Sequence, residues 1–298
     1  MTAYSQISAN KWKSSLLVGL FFSFVIALGL VLSYSYDVGP GGVILSVVIS
    51  TGMALFSYYG GDKVALLTSG AKGPIKLEDN AYLYRMVENV AITAGLPMPK
   101  VYLIQDAAPN AFATGRDPQH ASVAFTTGIL QLLKNEELEG VVAHELSHIK
   151  NFDTRLMTVV IICVGVVSLM AQIFLRVGSF GGHGRSRNNQ LGLGLAVIGF
   201  VLLIFSPLIS KVIQLAISRK REFLADASGA LLTRYPEGLA RALEKIDGVA
   251  TPLARANAAT AHLFISNPFG SHSRRRWSHW FSTHPPVADR VSALRSIA

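Results

Sequence analysis

His144-Glu145-Leu146-Ser147-His148 sets two imidazoles four residues apart with a carboxylate between them. On a helix that spacing projects both rings from nearly one face, where two neutral nitrogens can grip a single divalent cation. Glu145 falls about 100° from His144 around the helix axis. It therefore flanks such an ion without binding it and can take a proton from a water that the ion activates. Cys163 is the single cysteine and lies in an apolar run, which excludes an internal disulfide and every cysteine-rich metal motif. Any metal must be held by histidine and carboxylate.

The surrounding residues supply the helix. Asn135 is a favourable N-cap, Glu136 and Glu137 suit the first turn electrostatically, and Leu138, Val141, Val142, Leu146 and Ile149 recur at helical spacing, which predicts a helix over Asn135 to Lys150. The motif is thus an HExxH on a helix, the pattern of a zinc endopeptidase with Glu145 as general base. A catalytic zinc takes three protein ligands. A histidine six residues past His148 would supply the third in the metzincin manner, but that position is Thr154. Ser218 to Ala230 reads as a second helix, containing Arg221-Glu222-Phe223-Leu224-Ala225-Asp226. Glu222 and Asp226 share one face, so either can bind the ion while the other hydrogen-bonds a ligating imidazole. The alternative is a solvated acidic face balanced by the preceding basic residues.

Other elements belong in a bilayer. With 50% hydrophobic and 15% charged residues over 298 positions, and a mean hydropathy of +0.39, the chain is more apolar than soluble domains are. Leu16 to Tyr34 is uncharged and spans ~28 Å as a helix, and Val38 to Tyr59 follows through Gly39, Pro40, Gly41 and Gly42. Leu156 to Leu175 and Leu191 to Ser210 repeat the pattern around the loop Arg176 to Gln190. The expectation is an α-rich membrane protein with four transmembrane helices in two hairpins: a hairpin over 1–60, a first catalytic stretch over 61–155, a second apolar hairpin over 156–210, and a second catalytic stretch over 211–298. Lys11, Lys13, Lys63, Lys72, Lys76, Lys150, Arg155, Lys211, Arg219, Lys220 and Arg221 then share one side, which should be cytoplasmic; Arg176, Arg185 and Arg187 run against this. The formal charge of +9 is read as topological. The basic residues gather beside apolar segments without interleaved stacking aromatics, which argues against nucleic acid as a partner.

Between the hairpins, Glu78 to Gly95 reads as a helix with Ala81, Leu83, Tyr84, Val87, Ala91 and Ile92 on its apolar face. Val101 to Ile104, Ala111 to Thr114 and Ser122 to Phe125 are short strand candidates that could form a small sheet beside the motif helix.

His144 to His148, Arg221 to Asp226, Asn110-Ala111-Phe112-Ala113-Thr114-Gly115 and Ser282-Thr283-His284-Pro285-Pro286 together resemble the HtpX family of bacterial membrane proteases, in the same order and with apolar hairpins in similar places. The resemblance implies one zinc per chain with Glu222 as third ligand and Asp226 orienting an imidazole. It implies a gluzincin-like α+β catalytic domain in which substrate lies as an extended strand along a sheet edge, either Asn110 to Thr114 or Ser122 to Phe125, with Asn110, Ala111 and Phe112 as the leading contacts. By the same likeness His284 is the expected donor to the oxyanion, and Arg290 is expected to stabilise Glu222 or a substrate carboxylate. The expected setting is a multi-pass protein of the bacterial inner membrane, with misfolded or damaged membrane proteins as substrates.

Three other readings compete. An intramembrane zinc protease would carry its motif in an apolar span, against which Glu136, Glu137, Glu139, Lys150 and Asp153 argue. A processing protease for lipidated proteins would need more spans around a chamber. A non-catalytic metal-binding scaffold would have no use for Glu145. His120, His183, His262, His272 and His279 have no ligand spacing and read as surface or loop residues.

Overall fold

A computed structural model describes residues 3–35, 40–160, 171–172, 175, 197, 219–257, 260–270 and 284–297. Beyond residue 160, the second apolar hairpin expected over Leu156 to Leu175 and Leu191 to Ser210, like the loop Arg176 to Gln190, lies outside the described residues apart from 171, 172, 175 and 197. Ser282 and Thr283 also lie outside.

Two long helices open the chain: α1, Ala3–Ser35, and α2, Pro40–Thr68, packed on each other. Among the described residues one segment is long and apolar enough to cross a membrane, Ile7–Leu28. It starts earlier than the expected Leu16 and so takes in Lys11 and Lys13. The hairpin and the catalytic part are not separated at residue 60. The helix α2 runs through that point and buries Ala65 and Leu66 against Ile104, Phe112, Ala124, Leu263 and Phe264.

Next come β1 (Ala71–Lys72), α3 (Ala81–Ala94), β2 (Lys100–Ile104), β3 (Ala111–Gly115), β4 (Ala121–Thr126), α4 (Thr127–Leu132) and α5 (Asn135–Lys150). After it the described helices are α6 (Arg219–Thr233), α7 (Pro236–Gly248) and α8 (Val287–Arg295). The small mixed sheet has the order β1-β2-β4-β3, with β2 and β4 parallel and the other pairs antiparallel. Side chains alternate along each strand. Val101, Ala111, Ala113, Val123 and Phe125 face the core built from α3, α5 and α7, while Tyr102, Ile104, Phe112 and Ala124 face the layer containing the end of α2. Both faces are covered, so the strands read as short apolar runs rather than as alternating ones.

The expected helix α3 forms, capped by the Asn80 side chain and ended by Gly95 at φ 67. Met86 and Val90 lie in its core face, whereas Ile92 points out at 71% exposure. The motif helix has the predicted bounds but not the predicted cap. Lys134 precedes it, with its backbone N–H donating to Glu137 Oε2 at 2.7 Å, and Asn135 instead accepts from the Tyr82 hydroxyl at 3.0 Å. Glu137 is buried because it also accepts from Lys245 Nζ at 2.7 Å.

Helix α5 is buried along nearly its whole length and crosses two neighbours at glycines. A Cβ on Gly229 of α6 would lie 3.0 Å from His144 N and 3.2 Å from its Cα, and one on Gly140 would lie 2.8 Å from Leu239 N of α7. The obstructing atoms are helix backbone, which cannot turn aside. Gly→Ala in an exposed helix stabilises by up to ~1 kcal/mol. Gly229→Ala should do the reverse, pushing α6 off α5 and costing ~1–3 kcal/mol by overpacking. Thermal denaturation in detergent measures it, and a higher melting temperature would contradict the close crossing.

Candidate active site

Helix α5 brings His144 and His148 together with their Nε2 atoms 3.1 Å apart. Helix α6 lays Glu222 across them, its Oε2 3.9 Å from His144 Nε2 and its Oε1 3.7 Å from His148 Nε2. One ligand-type atom from each residue lies within 4.8 Å of the others, so these three could hold a metal ion. Two nitrogens at ~2.1 Å from a tetrahedral zinc stand ~3.4 Å apart, close to what is observed. Glu222 is fully buried and its Oε1 has no hydrogen-bond partner, an acceptor aimed at the space between the rings. The donor set fits a divalent cation.

Each imidazole is fixed from behind. His148 Nδ1 donates to Asp153 Oδ2 at 2.9 Å, and His144 Nδ1 lies 2.9 Å from Asp226 Oδ1 in a less well aligned contact. These carboxylates hold the proton at Nδ1 and turn Nε2 inward. Arg290 of α8 grips Asp226 with two bonds, Nε to Oδ2 at 2.8 Å and a terminal nitrogen to Oδ1 at 2.6 Å. The bidentate fork is the strong geometry for this pair. Arg290 is buried and also donates to Ile265 O at 3.4 Å, which overturns the reading of it as a contact for a substrate carboxylate. It lies 3.9 Å from Glu222 Oε2. His284 also reaches the site, its Nδ1 2.8 Å from Glu222 Oε2.

The charges follow from this packing. Burial lowers the pKa of His144 to about 4, so it is neutral. Burial would lower that of His148 too, but Asp153, Glu222 and Glu145 outweigh it and hold the value up at about 9. Burial raises Glu145 to about 7, against the pull of His148. Burial opposes ionisation of Glu222, yet His284, His148 and Arg290 hold it well below the usual carboxylate range. Asp226 is likewise held down at about 2 by Arg290 despite burial.

Asn110 precedes β3 and Ala111 and Phe112 begin it, but they do not present a free edge. Asn110 donates to Ser266 O at 3.0 Å and accepts from Ser266 N at 3.3 Å, Ala111 O accepts from Ile265 N at 2.9 Å, and Phe112 bridges Phe264. The chain's own 264–266 segment occupies that stretch. Asp153, in sequence only a mark of polar surroundings, is also part of the site. Asn151 and Phe152, the latter at φ 58, turn the chain back after α5 and aim Asp153 at His148. A helical wheel cannot foresee this, because residue 153 is past the helix end. Arg221, expected among the basic residues of the cytoplasmic side, is buried with its Nε 3.7 Å from Asp153 Oδ1. His262 is a correction as well. It is buried rather than a surface residue, and burial lowers its pKa to about 4. His120 is exposed beside Asp117 as expected, and His183, His272 and His279 lie outside the described residues.

Removing Arg290 leaves Asp226 buried and unpaired, so Arg290→Ala should cost ~3–5 kcal/mol. Asp226 has its folded pKa depressed to about 2, from ~3.9 in an unfolded chain. Its contribution is therefore complete above pH ~4 and is lost as pH falls toward 2. Melting temperatures of wild type and Arg290→Ala should differ at pH 6 and converge as the pH falls from ~4 toward 2. A pH-independent gap would separate Arg290 from Asp226.

The peptidase family M48 model matches residues 77–298. A "Protease HtpX homolog" of Caldanaerobacter subterraneus subsp. tengcongensis is 44% identical over 99% of this chain and 98% of that protein. Another, from Tropheryma whipplei, is 43% identical over 99% and 98%. Among solved structures, S. mikatae Ste24p aligns with a TM-score of 0.49 and 18% identity, over 98% of this chain and 67% of that one. On the family match and these near full-length identities, the chain belongs to peptidase family M48, among its HtpX proteases, and is a metalloprotease.

Proposed function

We propose that the chain is a membrane-anchored zinc endopeptidase whose ion is held by His144, His148 and Glu222, one per chain, and whose general base is Glu145. The observation that carries this is the convergence of two imidazole Nε2 atoms and an unpartnered buried carboxylate oxygen, with a carboxyl of pKa about 7 on the same helix turn. A zinc ion bound there supplies a Lewis acid that polarises the scissile carbonyl and acidifies water. Glu145 would take a proton from water and deliver it to the leaving amine, and burial, which raises its pKa, suits both transfers. Asp153 and Asp226 hold the rings, and Arg290 holds Asp226. His284 in this arrangement bonds Glu222. Its ring lies beside the site that would hold the ion, where it would donate to the scissile carbonyl oxygen as that oxygen gains charge.

The substrate edge shifts along β3 from Asn110, Ala111 and Phe112 to Ala113 to Gly115. Backbone groups alternate along a strand, so if Ala111 O faces the outer edge, as its bond from Ile265 indicates, Ala113 and Gly115 face it too. The backbone amide of Ala113 acts on Glu145 from that side. An extended peptide added there would pair through its backbone with little demand on sequence, which suits unfolded or damaged proteins as substrates.

Several features support a membrane setting with the site on the cytoplasmic face. Arg116, next to β3, lies 5.0 Å from the Tyr59 ring and 5.8 Å from that of Tyr58 on α2, and Arg155 lies 5.5 Å from Tyr58. Tyrosine and arginine gather at the water boundary of a bilayer. Lys11, at the start of the span, stacks its ammonium 4.3 Å over Phe152 of the catalytic part. The basic N-terminus thus sits on the catalytic side, which the positive-inside rule makes cytoplasmic. With the second apolar hairpin crossing as well, the protein is a four-span enzyme of the bacterial inner membrane that removes misfolded membrane proteins under stress.

Glu145→Gln should lower cleavage of an unfolded model protein by about 100-fold or more while zinc stays at one per chain; wild-type proteolysis in that variant would end the mechanism. Glu222→Ala should instead reduce bound zinc, and an unchanged stoichiometry would remove Glu222 from the ligands. Asn110→Ala leaves the Ser266 backbone groups unpaired, so it should lower the melting temperature by the equivalent of ~1–3 kcal/mol and leave KM unchanged. A large rise in KM without loss of stability would return Asn110 to the substrate edge.

A further inference from the structure

Asn10 lies in α1, in the apolar segment read as a membrane span, yet it is buried at 1% exposure and all its polar atoms point into the catalytic part. Its Nδ2 donates to Asp153 Oδ1 at 2.7 Å and to Asn151 O at 3.0 Å, and its Oδ1 accepts from a terminal nitrogen of Arg221 at 3.2 Å. The orientation of the amide is unambiguous. Turned over, its oxygen would face a carboxylate and a carbonyl, and its NH2 would face a guanidinium. Asp153 receives the bond from Asn10 on one oxygen and the bond from His148 on the other.

We propose that Asn10 is a positioning residue for the metal site, through which the seating of the N-terminal membrane helix controls metal affinity. The inference rests on the assignment of His144, His148 and Glu222 as ligands. Two links carry it. Along the first, Asn10 holds Asp153 in the rotamer that presents its free oxygen to His148 Nδ1, which keeps the Nε2 lone pair turned inward. Along the second, Asn10 meets Arg221, the residue before Glu222. One carboxamide therefore spans the turn that follows α5 and the helix that carries the third ligand, two segments far apart in the chain. Lys11 over Phe152 and Ser14, whose hydroxyl donates to Asn10 O at 2.8 Å, seat the same turn of α1. A shift of α1 along its axis by one residue, ~1.5 Å, would break both amide bonds to the turn.

Partners that orient a metal-binding imidazole typically change affinity 10–100-fold when removed, and Asn10 stands one bond farther out. In full-length protein stripped by a chelator, Asn10→Ala and the near-isosteric Asn10→Leu, which leaves no hole in α1, should weaken zinc binding ~3- to 10-fold, and Asp153→Ala ~10- to 100-fold. Competition against a chromophoric chelator reads this without reference to activity. The visible spectrum of the Co(II)-loaded protein should move in both Asn10 variants toward that of Asp153→Ala. In the Asp153→Ala background, removing Asn10 should add less than twofold, because coupled residues are not additive. Val25→Ala, a buried change in the same helix away from the amide, should match wild type in affinity and spectrum. Wild-type affinity and spectrum in both Asn10 variants would overturn the proposal, as would full additivity with Asp153→Ala or an equal effect of Val25→Ala. Failure of the ligand assignment itself has a different signature: Glu222→Ala would then bind zinc as wild type does.

Discussion

Eight ionisable residues, His144, Glu145, His148, Asp153, Arg221, Glu222, Asp226 and Arg290, are buried together at 6% exposure or less. Each ion removed from water costs several kcal/mol unless a partner and hydrogen bonds compensate. The cluster therefore exists only as a matched set. Arg221 lies beside Asp153, Arg290 is forked onto Asp226 and approaches Glu222, and His148 and His144 meet Asp153 and Asp226 from the other side.

Holding that set together needs backbone closeness that only particular residues permit. Glycines at the two crossings let α6 and α7 approach α5 so that Glu222 and Asp226 reach across to the histidines. The sheet covers the remaining side of α5, and the end of α2 covers the opposite face of the sheet. The second long helix thus runs on into the catalytic layer and its end forms part of that core.

What the sequence reveals follows the range of the interactions. Helical spacing is local, so α5 and the shared face of Glu222 and Asp226 are legible from residue positions alone, as are three of the strands. The assignment of Glu222 over Asp226 is not, since spacing treats them alike. The structure separates them by what each touches, Glu222 the two inward nitrogens and Asp226 the back of His144 and the Arg290 fork. Asp153, Asn10 and Arg221 meet through contacts between residues 143 and 211 positions apart, and no periodicity encodes these. A polar residue near the start of an apolar helix is the one local sign, and it reads equally well as a residue at the water boundary. Phe152 at φ 58 is a tertiary effect of the same kind, a backbone conformation that its own side chain disfavours.

The covering of β3 bears on how a protease that took its substrate by backbone pairing would still cut at a defined place. An open strand edge invites pairing along its whole length, and a substrate strand could then slide in steps of two residues. Here Phe264 and Ile265 already occupy the edge at Phe112 and Ala111, and Asn110 locks onto Ser266. If the substrate pairs at Ala113 to Gly115, the open length is too short for alternative registers. It ends beside Glu145 on one side and beside Arg116 and the α2 tyrosines on the other. A chain leaving the bilayer would meet the edge at the tyrosine end and run toward the histidines. Selectivity would then come from which segments can be extended and close to the membrane surface, a property of unfolded state and location rather than of side-chain identity.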